Sequence, residues 1–162
     1  MNDSALHTQG LAAIGRDEVL EATVLALAAD TDLWMPLVRF AEPRLRIPLP
    51  STPGIEAKLL TWAPGQSSGL HDHGGSSGCF MVLRETVWET LVDLDGNVHE
   101  FVHQVGHIGS FEHDVIHDVR NEGQVGAVTL HAYRPALAQM TQYEMVDGVP
   151  KALETLRTGL NY

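Results

Sequence analysis

Three of the nine histidines in this chain have spacings that suit metal binding. His71 and His73 lie two residues apart in the glycine-rich stretch GQSSGLHDHGG, residues 65–75. Alternate residues of an extended segment point the same way and lie about 6.6 Å apart along it, so both imidazoles face one side. Two imidazoles on one face can bind one transition-metal ion, which needs at least one further ligand. A polar turn with two solvated histidines is the alternative at this point.

The third histidine, His117, lies far downstream in GHIGSFEHDVIHDVRN. Asn121 follows it by four residues, and Gly106 precedes it by eleven. Gly65 precedes His71 by six residues. This spacing resembles the two motifs of the cupin superfamily, which are Gly-x5-His-x-His and Gly-x5-Pro-x-Gly-x2-His-x3-Asn. The resemblance implies a small double-stranded β-helix barrel with the metal ligands pointing into its mouth.

The chain departs from the cupin motifs in two ways. Glu112 and Asp114 stand where the second motif has Pro and Gly, and His113 would replace His117 as ligand only if that motif were misread. Residues 74–80, GGSSGCF, contain no acid where most metal-binding cupins have a Glu. Three neutral imidazoles leave a divalent ion its full charge, which suits a bidentate anionic ligand plus dioxygen. Imidazole accommodates Fe, Zn, Cu and Ni, so ligand type alone does not identify the metal.

The elements that must position these histidines are mainly short strands. Apolar runs alternate with turn signals from residue 55 to about 135, and Asp95-Gly96 predicts a hairpin between two of them. Five prolines between residues 33 and 53 exclude long helices there. We predict one domain over residues 1–162, all-β with flanking helices. These comprise a helix at about 17–30, a β-barrel at about 55–135 and a C-terminal helix at about 150–159, which Pro150 would begin and Gly159 would end.

A wider set of residues resembles the thiol dioxygenases, above all cysteine dioxygenase. The resemblance covers roughly residues 60–136. It comprises Trp62, Gly65, Ser68, His71-Asp72-His73, Cys79-Phe80, His117-Asp118-Val119-Arg120-Asn121 and the run VTLHAYRP, residues 128–135. Thr129, His131 and Tyr133 alternate in this run, so they face one side of a strand. They are similar to the Ser-x-His-x-Tyr run of that family.

The resemblance implies a mononuclear non-haem iron enzyme that oxidises a small thiol with dioxygen to a sulfinic acid. Fe(2+) would be held by His71, His73 and His117. Tyr133 would orient oxygen and substrate, with its hydroxyl poised by His131 and Thr129. L-Cysteine is the first candidate substrate. The alternative is 3-mercaptopropionate or a related thiol, whose enzymes often carry glutamine where cysteine dioxygenase has arginine.

An arginine would pair with the substrate carboxylate, because a planar guanidinium binds a carboxylate through two hydrogen bonds. The candidates are Arg46, which is preferred, and Arg44, both in the segment PRLRIPL, and Arg134, which directly follows the tyrosine. Animal cysteine dioxygenases link a cysteine to the active-site tyrosine. A Cys79–Tyr133 thioether is one option here. The residue at the family spacing is Gly78, as in bacterial members that lack the crosslink.

Composition narrows the other function classes. The net charge of −11 disfavours nucleic acid and anionic membranes as partners, because phosphate binding needs a surplus of Lys and Arg. No apolar run reaches the length of a membrane span, and the N-terminus lacks the pattern of a signal peptide, so we expect a cytoplasmic protein. A non-enzymatic cupin that binds a metal and a small acidic ligand remains a competing hypothesis. An isomerase or decarboxylase would more commonly retain the missing carboxylate.

Overall fold

The computed structural model describes residues 16–157, in which short strands predominate. The helices are α1 (Glu18–Ala29), α2 (Thr31–Trp34) and a 3-10 turn (Met35–Leu37). The strands are β1 (Arg46–Leu49), β2 (Glu56–Trp62), β3 (Ser77–Arg84), β4 (Val87–Val92), β5 (Val98–His103), β6 (Ile108–Phe111), β7 (Ile116–Arg120), β8 (Ala127–Arg134), β9 (Gln139–Val146) and β10 (Val149–Arg157). The predicted all-β class is therefore confirmed.

The predicted N-terminal helix is found as α1. The side chain of Asp17 caps it by accepting hydrogen bonds from the backbone N–H groups of Val19 and Leu20. Leu20 and Val24, one helical turn apart, are completely buried against the sheet that contains β3 and β8. No helix within residues 16–157 is long and apolar enough to cross a membrane.

Two antiparallel sheets enclose the site. The larger has the order β1-β2-β8-β3-β6, and the smaller has the order β5-β4-β7. Asp95-Gly96 lies in the connection between β4 and β5, as predicted. One face of the larger sheet packs against α1. The other face packs against the smaller sheet through a second apolar cluster that includes Trp62, Phe80 and Val119.

The predicted C-terminal helix at 150–159 is wrong over residues 150–157, which belong to β10, while residues 158 and 159 lie outside the described part of the chain. β10 pairs with β9 in a two-stranded sheet. Asp147 and Gly148 form the turn between them, with φ of 53° and 79°. Positive φ at both central residues is typical of the tightest hairpins, and an Asp-Gly pair is a strong signal for one. This turn places residue 150 opposite Met145, so the hairpin overrides the helical pattern.

Candidate metal site and active site

Backbone pairing brings His71 and His117 together. The N–H of each donates to the carbonyl of the other, at N···O distances of 2.9 and 3.0 Å, so the two residues form an antiparallel bridge. The segment before His71 continues this pairing along β7. Ser68 N–H donates to the carbonyl of Val119 at 2.9 Å, and Gly65 N–H donates to the carbonyl of Asn121 at 2.9 Å. The two cupin-like motifs therefore meet through a short backbone ladder.

β9 holds the same segment from its other side. Tyr143 N–H donates to the carbonyl of Leu70 at 2.8 Å, and Asp72 N–H donates to the carbonyl of Thr141 at 3.0 Å. The Asp72 carboxylate accepts hydrogen bonds from Thr141 N–H at 2.9 Å and from the Tyr143 hydroxyl at 2.7 Å. Asp72 thus anchors the loop between two ligand candidates instead of contributing a ligand, as its position between them predicts.

The three histidines form a compact, buried triangle. One ligand atom from each of His71, His73 and His117 lies within 4.8 Å of the others. His71 Nδ1 lies 2.8 Å from the carbonyl oxygen of Gly69, and His117 Nδ1 lies 2.6 Å from a carboxylate oxygen of Glu89. Both acceptors require a proton on Nδ1, which leaves Nε2 of each ring as the atom available to a metal. His113 is exposed, which favours His117 as the third ligand.

His73 supplies the test of whether a metal fits this triangle. Its side chain is 1% exposed, and neither ring nitrogen has a hydrogen-bond partner among the described residues. An unpartnered polar group at this depth costs about 1–3 kcal/mol. Coordination of a metal by one ring nitrogen would give that nitrogen the partner it lacks. The donor set therefore fits a transition-metal ion, and imidazole is a ligand that such ions accept.

Burial keeps the imidazoles of His71 and His73 in the uncharged form that binds metal. Desolvation, with a further contribution from the charge of His117, lowers the pKa of His71 to about 3. Desolvation also lowers the pKa of His73 well below its usual range. Metal ligands must be deprotonated, so neutral rings at physiological pH are prepared for coordination.

Glu89 is a site residue that sequence reasoning missed. One of its carboxylate oxygens accepts from His117 Nδ1 at 2.6 Å, and the other accepts from His103 Nε2 at 2.7 Å. Burial would raise the pKa of Glu89, but the hydrogen bonds from His103 and His117 and their charges lower it to about 2. A carboxylate is thus present at the site, where it binds His117 and is not itself one of the candidate ligands. The sequence contains one sign of this role. Glu89 is an acid that alternates with Val87 and Leu91, so it lies on the inward face of a strand.

His103 is also buried, at 7% exposure. It lies between the Glu89 carboxylate and the ring of His107, with which it stacks at a centroid distance of 3.9 Å. His103 is the last residue of β5. Its side chain faces inward, whereas Val98 and Val102 of the same strand are exposed. Its function in the structure is to hold the second oxygen of Glu89.

The inward face of β8 forms one wall of a small cavity at the triangle. Thr129, His131 and Tyr133 are all buried on this face, as their alternation predicts. The Thr129 hydroxyl oxygen lies 2.9 Å from His131 Nε2 and 2.8 Å from Trp62 Nε1. The lining of the cavity is Arg44, Leu60, Trp62, Ser68, His71, His117, Val119, His131, Tyr133 and Met140. Met140, from β9, was not anticipated from the sequence.

The three candidate arginines lie in different places. Arg44 lines the cavity, with its guanidinium carbon 4.0 Å from the centroid of the Trp62 ring. Arg46, the residue preferred from the sequence, is exposed and lies with Arg44 around a neighbouring opening, although its charge still acts on His71. Arg134 faces the other side of β8, where Nη2 lies 2.6 Å from a carboxylate oxygen of Asp17. The sequence could not choose between Arg44 and Arg46, because the backbone that precedes β1 is irregular.

Cys79 and Tyr133 lie on opposite faces of the larger sheet, an arrangement that disfavours the thioether considered from the sequence. Cys79 pairs with Ala132 and packs in the cluster beneath α1, whereas Tyr133 packs in the inner cluster. Gly78 is the residue opposite Tyr133. A side chain at Gly78 would collide with the ring of Phe111, which stacks on His73 at 4.2 Å between centroids.

Comparison with known proteins agrees with this geometry. The family model for cysteine dioxygenase type I matches residues 11–146. The solved structure of TT1209 from Thermus thermophilus is similar, with a TM-score of 0.56 and 23% identity over 63% of this chain and 93% of that one. An oxalate decarboxylase structure has a TM-score of 0.55 and 23% identity, covering 60% of this chain and 28% of its own.

A third structure, an oxalate oxidase in complex with the substrate analogue glycolate, has a TM-score of 0.54 and 17% identity over 60% of this chain and 55% of that one. The chain thus spans about half or less of the two oxalate enzymes. At these identities the likeness concerns the fold alone, and it confirms the predicted cupin architecture. The family match is broader, since it includes the three histidines, Arg44 and the inward face of β8. This chain belongs to the cysteine dioxygenase type I family.

Proposed function

We propose that this protein is a mononuclear non-haem iron dioxygenase that oxidises a small thiol acid, with L-cysteine as first candidate, to its sulfinic acid. The observation that carries the proposal is the shared cavity. Two histidines of the triangle, the buried Tyr133 and one arginine line the same small space. A non-enzymatic metal-binding cupin would need the histidines, but it has no evident need of the Thr129–His131–Tyr133 face.

The overall reaction needs no co-reductant. A thiol and one dioxygen molecule combine to R–SO2H, so sulfur loses four electrons and dioxygen gains four. Fe(2+), when held by His71, His73 and His117, would supply a Lewis acid that favours thiolate and a redox centre that activates dioxygen. The remaining tasks belong to the chain, which must bind the carboxylate, orient the thiol and exclude bulk water.

Arg44 is proposed to bind the substrate carboxylate. It is the one cationic side chain that lines the cavity among the described residues, and its guanidinium can form two parallel hydrogen bonds with a carboxylate. Stacking on Trp62 restricts the guanidinium to one plane, which lowers the entropy cost of binding. Tyr133 is proposed to donate a hydrogen bond to the oxygen that develops charge, and its burial excludes competing water.

The test is oxygen uptake by iron-loaded protein with L-cysteine, 3-mercaptopropionate and cysteamine, together with the mass of the product. We expect uptake with the two carboxylate-bearing thiols, a gain of two oxygen atoms on sulfur, and little uptake with cysteamine. Arg44→Gln should raise KM by about 10–100-fold, since a charged hydrogen-bonded pair contributes about 1.5–3 kcal/mol. The matched variant Arg46→Gln should change KM by less than about fivefold, since an exposed charge pair contributes at most about 1 kcal/mol.

Each outcome separates the alternatives. Turnover of 3-mercaptopropionate in preference to L-cysteine would keep the reaction and change the substrate. No uptake by protein shown to contain one iron would favour the binding cupin, and the proposal would be wrong. A larger effect of Arg46→Gln than of Arg44→Gln would restore the arginine preferred from the sequence. The cytoplasmic location stays a prediction.

A further inference from the structure

Trp62 lies at the start of a line of buried hydrogen bonds that leads to the cavity. Its indole Nε1 lies 2.8 Å from the Thr129 hydroxyl oxygen, which lies 2.9 Å from His131 Nε2. Thr129 is completely buried, Trp62 is 1% exposed and His131 is 3% exposed. Bulk water therefore does not reach these groups. Each proton in the line must be assigned to a contact within it.

The direction of the line follows from the chemistry of its first member. An indole N–H only donates, so the Thr129 oxygen accepts from Trp62. The Thr129 hydroxyl then has its own single proton to place, and His131 Nε2 is its one acceptor among the described residues. If His131 Nε2 carried a proton instead, the hydroxyl proton would be left buried without an acceptor, which is costly. Nε2 is therefore the unprotonated nitrogen.

A neutral imidazole carries one proton, so it must lie on the other ring nitrogen. Burial lowers the pKa of His131 well below its usual range, and the charges of His117 and Arg44 add to this effect, which keeps the ring neutral. We propose that Trp62 is a positioning residue that holds His131 as the Nδ1–H tautomer, so that His131 presents a hydrogen-bond donor, and no acceptor, to the cavity it lines.

This tautomer restricts what the inward face of β8 can do. With Nε2 occupied by Thr129 and Nδ1 protonated, His131 has no free lone pair to accept a proton from Tyr133 or from a thiol. His131 can only donate a hydrogen bond, which would stabilise negative charge on a neighbouring oxygen or sulfur. A general-base role for His131 is thereby excluded, and the Tyr133 hydroxyl keeps its proton for donation.

Trp62 also links this line to the anion-binding side of the cavity. The guanidinium of Arg44 lies over its ring, and its backbone carbonyl accepts from the Asn121 side chain at 2.9 Å. The ring face and the N–H thus have separate tasks. A phenylalanine at this position retains a face for Arg44 but has no N–H, so the two tasks can be separated by one substitution.

The first experiment measures the tautomer directly and does not depend on the proposed function. Two-bond 15N–1H correlation spectra of the imidazoles, in metal-free protein and in protein loaded with diamagnetic Zn(2+), distinguish the two tautomers. The signals of His131 are assigned by comparison with His131→Gln. We expect the Nδ1–H pattern for His131 in both samples. A proton on Nε2, or on both nitrogens, at neutral pH would overturn the proposal.

The second experiment uses Trp62→Phe, with Trp34→Phe as the matched control. Trp34 Nε1 also donates one hydrogen bond, to the carbonyl of Ala28 at 3.0 Å, but it lies away from the cavity. We expect Trp62→Phe to show the Nε2–H tautomer of His131 as a second population, because Thr129 can then accept from it. An unchanged tautomer in Trp62→Phe would overturn the proposal, whatever happens to turnover.

The kinetic readout rests on the proposed thiol oxidation. Trp62→Phe should lower kcat by about five- to tenfold, the equivalent of one net hydrogen bond, and change KM by less than about twofold. Thr129→Ser, which retains the hydroxyl, should keep both the tautomer and most of kcat, whereas Trp34→Phe should match the wild type. If the wild type oxidises no thiol, the proposed function fails, and the spectra still decide the tautomer.

Discussion

Successive residues of β8 alternate between two faces of the strand, and the two faces have different functions. Its inward face carries Thr129, His131 and Tyr133, of which His131 and Tyr133 line the cavity and Thr129 lies within hydrogen-bond distance of His131. Its outward face presents Val128, Leu130 and Ala132 to α1, and all three are completely buried and apolar. The strand is therefore buried on both sides, but only one side has groups that can bind or orient a substrate.

The contrast explains how a reactive site can be held rigidly. Polar side chains on the inward face need neighbours with fixed donors and acceptors, such as Trp62 for Thr129. The backbone that carries them is fixed from the outside by apolar packing of α1, through Leu20 and Val24. Substitutions on the two faces should consequently differ in kind. Inward changes should alter metal binding or turnover, and outward changes should alter stability.

The largest effect should come from the metal triangle. His117→Ala removes one of the three proposed ligands and also leaves the buried Glu89 carboxylate without one of its two partners. We expect loss of stoichiometric metal binding together with loss of activity, measured by metal analysis after dialysis and by oxygen uptake. His113→Ala is the matched control, because His113 is exposed in the connection just before β7. Retention of one tightly bound metal in His117→Ala would show that the triangle is not the metal site.

On the outward face, Leu130→Ala should cost stability without changing the chemistry. Leu130 is completely buried beneath α1, and truncation of such a side chain lowers the free energy of unfolding by about 2–5 kcal/mol. Denaturant unfolding measures the loss, and kcat per folded, metal-loaded molecule should stay within about twofold. Leu94→Ala, at a side chain 79% exposed, should change stability by less than about 0.5 kcal/mol. A kcat loss in Leu130→Ala larger than its stability loss explains would contradict the division between the faces.

The sequence predicted those features that depend on spacing along one strand or on motif register. The triangle of His71, His73 and His117 and the shared face of Thr129 and Tyr133 are of this kind. It could not predict features set by pairing between distant strands. The partnership of Glu89 with His103 depends on the register of β4 with β5, and the choice of Arg44 depends on irregular backbone.

The prediction of a C-terminal helix was wrong for a related reason. Residues 150–157 contain good helix formers, and Pro150 suits the first turn of a helix. The Asp147-Gly148 turn decides the conformation of this segment, because it joins β9 to β10 as a hairpin and so makes residues 150–157 a strand. Pairing of β9 with the segment of His71 and His73 then gives the hairpin a tertiary partner, through Tyr143 and Leu70. Tertiary pairing overrides local propensity here.

A substitution of Glu89 tests whether a residue that contacts a candidate ligand, but does not itself bind metal, affects metal affinity. Glu89→Gln has the same shape but only one acceptor oxygen, so it cannot accept from both His103 and His117. Loss of such a partner behind a metal-binding histidine typically lowers metal affinity by about 10–100-fold. Chelator competition with Co(2+) measures the affinity, and Glu154→Gln on the exposed strand β10 is the control. Equal affinities for the two variants would assign Glu89 a purely structural function.

Substitution of Cys79 should have the smallest effect on turnover. Cys79 and its neighbour on β3 allow a direct comparison of the two faces of the larger sheet. Cys79 and Gly78 are neighbours on β3, but only Gly78 lies opposite Tyr133, and the Cys79 thiol is buried beneath α1. Burial raises the pKa of this thiol to about 11, so it stays protonated and unreactive at neutral pH. Cys79→Ala should therefore leave kcat and KM within about twofold and lower stability by about 1 kcal/mol, the typical effect of a single substitution.

Peptide mass analysis of wild-type protein after turnover completes this comparison, and it should find the segments around Cys79 and Tyr133 as separate peptides. A covalently joined pair would require β3 to turn its side chains over by one residue. That shift would expose Phe80 to α1 and remove the space at Gly78 that Phe111 occupies. It would also move Phe111 from its stack on His73, so a crosslink here would be incompatible with the metal triangle as well as with the two-faced strand.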